Sequence, residues 1–268
     1  MLKQQTLKVV QITDSHLHAS QEGTLLGMNT LNSLNLVLER VVAERPQIDV
    51  VLATGDIAQD GSVGAYTTFI EQMDRLGAPV FWIAGNHDNR EHMGQALALT
   101  GRPSMARTVF TTDDWVIVLL DSTVPGSVYG HLAADQLALL DRALTQHSDK
   151  HALVTFHHHP KPMGSRWIDK IGIRNQEDLM QTLGRHSNVR ALLWGHVHQH
   201  SDDIHNGVRY ISTPSTCVQF MPCSQDFAID TEGPGYRWLD LHADGSIDTG
   251  LTRIEGVNYE IDYSVKGY

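Results

Sequence analysis

Short apolar runs recur along this chain, and five of them stop at side chains able to ligate a metal. LKVVQIT (7–13) runs into Asp14-Ser15-His16, and DVVLAT (49–54) into Gly55-Asp56. PVFWIAG (79–85) is followed by Asn86-His87-Asp88. ALVTF (152–156) leads to His157, His158 and His159, and VRALLW (189–194) to Gly195-His196-Val197-His198. Each run has the length and continuity of a buried strand. Between them lie segments with helical spacing: SLNLVLERVVAE (33–44), AYTTFIEQMDRLG (65–77, closed by Gly77), 89–99, AADQLALLDRALTQ (133–146) and QEDLMQTLGRH (176–186). Two further strands, ARTVFTT and WVIVLLD, fall near 106–121.

After about residue 200 the pattern changes. GVRYIST, DFAIDTE, GYRWLDLHAD and SIDTGLTRI read as strands joined by turns, with no helix between them. No internal repeat and no Gly/Ser linker divides the chain. These patterns predict one α/β domain over 1–268, made of two mixed β-sheets packed together with helices outside and a strand-rich C-terminal part.

In open α/β sheets ligands bind beyond the carboxyl ends of the strands. The five exits can therefore converge on one crevice. In Asp-x-His and His-x-His, extended backbone with period two would turn both side chains the same way. Glycine before Asp56, Asn86 and His196 removes a side chain where backbone passes close to a ligand. Carboxylate, amide and imidazole together suit iron, manganese or zinc better than magnesium or calcium.

Composition narrows the function. The formal charge of −11 and the absence of a basic patch argue against nucleic-acid binding. No run reaches the roughly 18 apolar residues of a membrane span. The first residues show no signal-peptide pattern. Two cysteines, Cys217 and Cys223, make no disulfide framework, so a cytoplasmic setting is expected.

D-x-H, GD, GNHD, H-H and GHxH, in this order, resemble the calcineurin-like metallophosphoesterase superfamily. QITDSHL, ATGDIAQD, FHHHP, LLWGHVHQ, TPSTCVQF and LHADG look like its bacterial class III cyclic AMP phosphodiesterases. The resemblance spans Leu7 to the C-terminal Gly-Tyr. It implies a four-layer α/β/β/α sandwich and two divalent metal ions, iron and/or manganese first and zinc as alternative. Asp14, His16 and His198 would bind one metal; Asn86, His196 and a histidine of the triplet the other; Asp56 would bridge. Aligning the triplet on the strand end makes His157 the ligand, and aligning it on the proline makes it His158. His157 is preferred, because the strand fixes the exit direction and alternation would turn His158 away. His159 would face the substrate opening or solvent.

The implied reaction is hydrolysis of 3′,5′-cyclic AMP to 5′-AMP, with a hydroxide shared by the metals attacking phosphorus. His16, Asn86, His87 and His198 would contact the substrate, and His87 would be catalytic, donating a proton to the leaving oxygen or else stabilising the phosphoryl oxygens. Asp88 would either orient His87 or cap the following helix. His18 is expected in an exposed loop. Arg90 would touch phosphate or pair with an acid, and Phe220 would stack on a purine or belong to the core. Rival readings are glycerophosphodiesters or other cyclic nucleotides, a phosphoprotein phosphatase, and a scaffold without activity. A scaffold would normally have lost ligands.

Overall fold

The computed structural model describes residues 6–267. The first five residues, part of the stretch searched for a leader, and Tyr268, the end of the resemblance, lie outside them. In chain order the elements are β1 (Leu7–Ile12), β2 (Thr24–Leu25), β3 (Met28–Asn29), α1 (Thr30–Glu44), β4 (Val50–Thr54), α2 (Val63–Met73), β5 (Val80–Ile83) and α3 (Arg90–Thr100). Then come β6 (Val109–Thr111), β7 (Trp115–Leu119), α4 (Ala134–Gln146), β8 (His151–Thr155), α5 (Gln176–Leu183) and β9 (Val189–Trp194). The tail supplies β10 (Ser201–His205), β11 (Val208–Ser212), β12 (Gly235–Leu241) and β13 (Ile247–Arg253).

Two sheets form, in the orders β13-β12-β1-β4-β5 and β10-β11-β9-β8-β7-β6, with β2-β3 a small separate hairpin. Both are mixed. β1, β4 and β5 run parallel, as do β7, β8, β9 and β11, while the tail strands β12 and β13 and the edge strands β6 and β10 pair antiparallel. Alternation along the strands separates the layers. In β4, Val50 and Leu52 face the second sheet's Ile117, Leu153 and Leu193. Val51 and Ala53 point the other way, into a core shared with Leu34 and Val37 of α1 and Phe69 of α2. Val154 and Leu192 of the second sheet pack with Leu140 of α4 and Leu179 of α5. The order is therefore α/β/β/α, as expected.

Three expectations needed correction. DFAIDTE is not a strand: it contributes one isolated bridge, Phe220 to Ile229, and the rest of 221–234 is loop. It pairs with 219–221 through Met221 N to Ala228 O and Asp230 N to Gln219 O, a contact too short to make a strand. The edge strand β10 was missed, because SDDIH carries little apolar signal; it is held by pairing to β11. The helix expected from residue 33 begins earlier, at Thr30, capped by the side chain of Asn29.

Candidate metal centre

The parallel strands of both sheets bring their carboxyl ends to one edge of the sandwich, and there the exits are stitched together. Asp14 N donates to Gly55 O at 3.0 Å and His16 N to Asp56 O at 2.9 Å, joining the exits of β1 and β4. The N–H of His196, after β9, donates to both carboxylate oxygens of Asp14 at 3.0 Å. The N–H of His87, after β5, donates to Asp56 Oδ1 at 2.9 Å. Thr13 Oγ1 adds a bond to Asp14 Oδ2 at 2.7 Å. Both carboxylates are buried.

The side chains converge for a reason the alternation argument did not contain. Asp14, His16, Asp56, His196 and His198 all have positive φ, between 45° and 68°. They are left-handed turn residues, not extended ones. Such backbone typically costs about 1–3 kcal/mol per non-glycine residue and concentrates at functional sites. The glycines behave as expected: a Cβ on Gly85 would lie 2.2 Å from Asp56 Oδ1, and one on Gly55 2.5 Å from His157 Nδ1.

Four imidazoles are anchored through one nitrogen, which leaves the other facing the cluster. His157 Nδ1 bonds Thr54 O at 2.7 Å, His198 Nδ1 bonds Val218 O at 2.8 Å, and His16 Nδ1 bonds Gln59 Oε1 at 2.6 Å. Those partners are acceptors, so in each neutral ring Nδ1 carries the proton and Nε2 a lone pair. His196 is anchored the other way round, with Nε2 donating to Ile171 O at 3.1 Å. The inward lone pairs then meet negative or lone-pair atoms. His157 Nε2 lies 3.2 Å from Asp56 Oδ2, His198 Nε2 lies 3.4 Å from Asp14 Oδ1, and the Nε2 atoms of His16 and His198 lie 3.2 Å apart. Asn86 Oδ1 is buried with no hydrogen-bond partner. Lone pairs and carboxylates turned toward each other in a buried site need cations between them.

The titration behaviour divides the imidazoles into rings kept neutral and His157, which holds a proton against Asp56 until a metal ion displaces it. Burial pushes His16 down to about 3 and His196 and His158 well below the usual histidine range, which keeps these three rings neutral. Burial also acts to lower His157, but the carboxylates of Asp56 and Asp14 push it up to about 9. Burial would raise Asp56 and Asp14, yet the imidazoles of His157 and His198 respectively, with those around them, hold both below the carboxylate range. The ligand-capable atoms of Asp14, Asp56 and His157 lie within 4.8 Å of one another, and so do those of His16, Asp56 and His87. Asp56 belongs to both groups. The donor set fits divalent metal ions.

All seven residues expected as ligands (Asp14, His16, Asp56, Asn86, His157, His196, His198) come together with His87. Other expectations change. His158 does not turn away: β8 has ended, its ring sits 4.6 Å from that of His196, and its Nδ1 meets Ser122 Oγ at 2.8 Å. His159 faces neither opening nor solvent but is buried, stacked on His196 at 5.6 Å. Asp88 does not cap the helix, since Asn89 is the cap. Its carboxylate accepts from the N–H of Gly85, Ala58 and Ile57 and from the Tyr66 hydroxyl, bracing the two loops. Burial and the charge of Asp56 push Asp88 up to about 7. His18 is half-buried over Gly23. Arg90 pairs with Asp121 at 2.6 Å. Phe220 stacks flat on His198, with ring centroids 4.1 Å apart. Cys217 is buried, as expected.

Sequence reasoning missed Gln59 and Thr13, which position His16 and Asp14 through hydrogen bonds, and Ser122, which holds His158 at its ring and its backbone N–H. Gln59 lies three residues after Asp56, in ATGDIAQD, and that proximity was the available signal.

This fold and site define a metal-dependent type of phosphoesterase, and sequence comparison agrees. The profile of the calcineurin-like phosphoesterase family matches residues 7–200, and the chain belongs to that family. A Pseudomonas aeruginosa protein named 3′,5′-cyclic adenosine monophosphate phosphodiesterase CpdA is 48% identical over 260 residues, covering 97% of this chain and 94% of the relative. The protein of that name from Escherichia coli K12 is 42% identical over 262 residues, covering 98% and 95%. Among solved structures, a dimetal phosphatase from Danio rerio superposes with a TM-score of 0.64 at 18% identity, covering 92% of this chain and 98% of the other; it shares the fold. Among the described residues no helix is long and apolar enough to cross a membrane.

Proposed function

We propose that this protein hydrolyses 3′,5′-cyclic AMP to 5′-AMP in the cytoplasm, using two divalent metal ions bound at the strand exits. The observation that carries the metal site is the set of imidazoles anchored outward by acceptors, with their second nitrogens aimed at Asp14 and Asp56. Asp14, His16 and His198 would hold one ion and Asn86, His157 and His196 the other, with Asp56 placed to serve both. The anchoring of His157 to Thr54, which points Nε2 at Asp56, favours it over His158. The mixed nitrogen and oxygen donors favour iron or manganese, with zinc next. The near full-length similarity to the two named cyclic AMP phosphodiesterases supports the substrate. Two free thiols, one of them exposed, support a reducing compartment.

When bound, the ions supply an activated water at neutral pH and positive charge for the phosphoryl oxygens. The chain's own residues do the rest. His16, Asn86, His87 and His198 surround the position of the phosphoryl group. His87, half-buried and 4.9 Å from His16 between ring centroids, holds a proton for the ribose 3′-oxygen as its bond to phosphorus breaks. Asp56 holds the backbone N–H of His87 and so fixes where that residue starts.

The test is product formation by metal-reconstituted protein from 3′,5′-cyclic AMP, with cyclic GMP, 2′,3′-cyclic AMP, glycerophosphocholine and bis(p-nitrophenyl) phosphate beside it. Preference for 3′,5′-cyclic AMP with 5′-AMP as product is expected. Cleavage of the artificial diester alone would retain the phosphodiesterase and reject the substrate. His87→Ala should lose turnover while keeping its metal; Asp56→Ala should lose both ions.

A further inference from the structure

The metal-ligating cluster forms one end of a cavity of about 290 Å³, reached by Asp56, Asn86, His87 and His196. The rest of the lining is largely apolar, from Trp167, Phe220, Phe227, Val128 and Ile171, with Lys266 of the C-terminal segment beside them. Ligand pockets commonly pair a mostly apolar wall with a few placed polar groups, and this one lies near the small end of their range of about 300–1,000 Å³. We propose that this apolar part receives the purine ring of the cyclic nucleotide, with Trp167 and Phe227 as the surfaces that select for it. The proposal rests on the cyclic nucleotide reading given above.

Continuity is the first argument. A phosphoryl group held at Asn86 and His196 leaves the rest of the nucleotide beside the aromatic wall, because the same cavity contains both.

Rigidity is the second. The Trp167 indole N–H donates to Ser224 Oγ at 3.0 Å, which fixes the ring. Trp167 meets Phe220 and Phe227 edge-on, with centroids 5.1 Å apart in each case. Phe220 already stacks on the ring of His198, so it joins the wall to the metal ligands. A wall already in place for a flat aromatic ligand loses little side-chain freedom on binding.

Exposure is the third. Val128 is 54% exposed at the cavity mouth, an apolar side chain that a bound base would cover.

A larger groove of about 630 Å³ lies on the other side of His87. It is lined by Asp60, Asn89, Arg90 and Glu91, among others, and its arginine is engaged with Asp121. Its lining holds no Phe, Tyr or Trp for a purine to stack on and little uncompensated positive charge.

The experiment compares Trp167→Ala, Trp167→Phe, Phe227→Leu and Arg90→Ala with the wild-type protein, all loaded with manganese. Each is assayed on 3′,5′-cyclic AMP and on ribose 3,5-cyclic phosphate, which has the same scissile bond and no base. Losing one base stack should raise KM for cyclic AMP about 5- to 100-fold in Trp167→Ala. Metal content and kinetics on the base-free ester should be unchanged, and Trp167→Phe should restore most of the affinity. Equal losses on both substrates would mean the tryptophan is structural and would overturn the proposal. An unchanged KM in Trp167→Ala, or a rise confined to Arg90→Ala, would also overturn it and place the base in the polar groove. A wild-type protein that prefers the base-free ester would reject the cyclic AMP reading and this pocket with it.

Discussion

Replacing Gly195 with alanine tests the packing behind the metal site without removing a ligand. The added Cβ would lie 2.1 Å from Thr13 Oγ1 and 2.6 Å from Asp14 Oδ2. Neither atom has room to retreat, because both residues are buried and Asp14 is held by the N–H of His196 and the hydroxyl of Thr13. Forcing a methyl group into a filled site costs about 1–3 kcal/mol. Losing a hydrogen bond to a charged group costs about 1.5–3 kcal/mol more. The sum, about 2.5–6 kcal/mol, corresponds to a fall in Tm of roughly 5–24 °C for a chain of this size. The carboxylate that moves is a proposed ligand, so metal content should fall as well. The assay is thermal unfolding of the metal-free protein, with metal analysis after reconstitution. Gly94→Ala is the control: nothing lies within 4 Å of its Cβ and it sits inside α3, so it should gain about 0.5–1 kcal/mol. A Gly195→Ala protein as stable as the wild type and fully loaded with metal would refute the close-approach reasoning.

Other outcomes are expected. Adding manganese to metal-free protein should raise its Tm, by about 2.7 kcal/mol of stabilisation at a hundredfold excess over Kd, and a chelator should reverse it; no shift would argue against a preformed site. His157→Ala should lose more metal than His158→Ala, and the reverse order would move the ligand to His158. Burial pushes the Cys217 thiol up to about 12, while Cys223 is exposed. Native protein should therefore react with one equivalent of a thiol reagent and unfolded protein with two; two in the native state would contradict the burial. Asp88→Ala should cost several kcal/mol, about 1–3 for each backbone N–H left without its acceptor, as read from denaturant unfolding.

The sequence by itself determined much of this protein. Apolar runs and helical spacing gave the order of β and α elements as far as β9, the short β2–β3 hairpin excepted, because such strands and amphipathic helices carry strong local periodicity. The polar residue types at five strand exits identified the ligand candidates, and the glycines before three of them marked the close approaches. Local pattern failed where pairing partners decide: SDDIH became an edge strand and DFAIDTE did not become one. Only the tertiary structure decided how the ligands converge. Left-handed backbone at Asp14 and His198 depends on hydrogen bonds between exits distant in sequence, such as His196 to Asp14, and no local rule predicts them. It also decided which nitrogen each histidine turns inward, since Thr54, Val218 and Ile171 act through carbonyl groups that every residue possesses. The aromatic wall around Trp167 was equally hidden. Trp167 comes from the loop before α5 and Phe220 and Phe227 from the loop before β12, and loop aromatics show no periodicity until folding places them side by side.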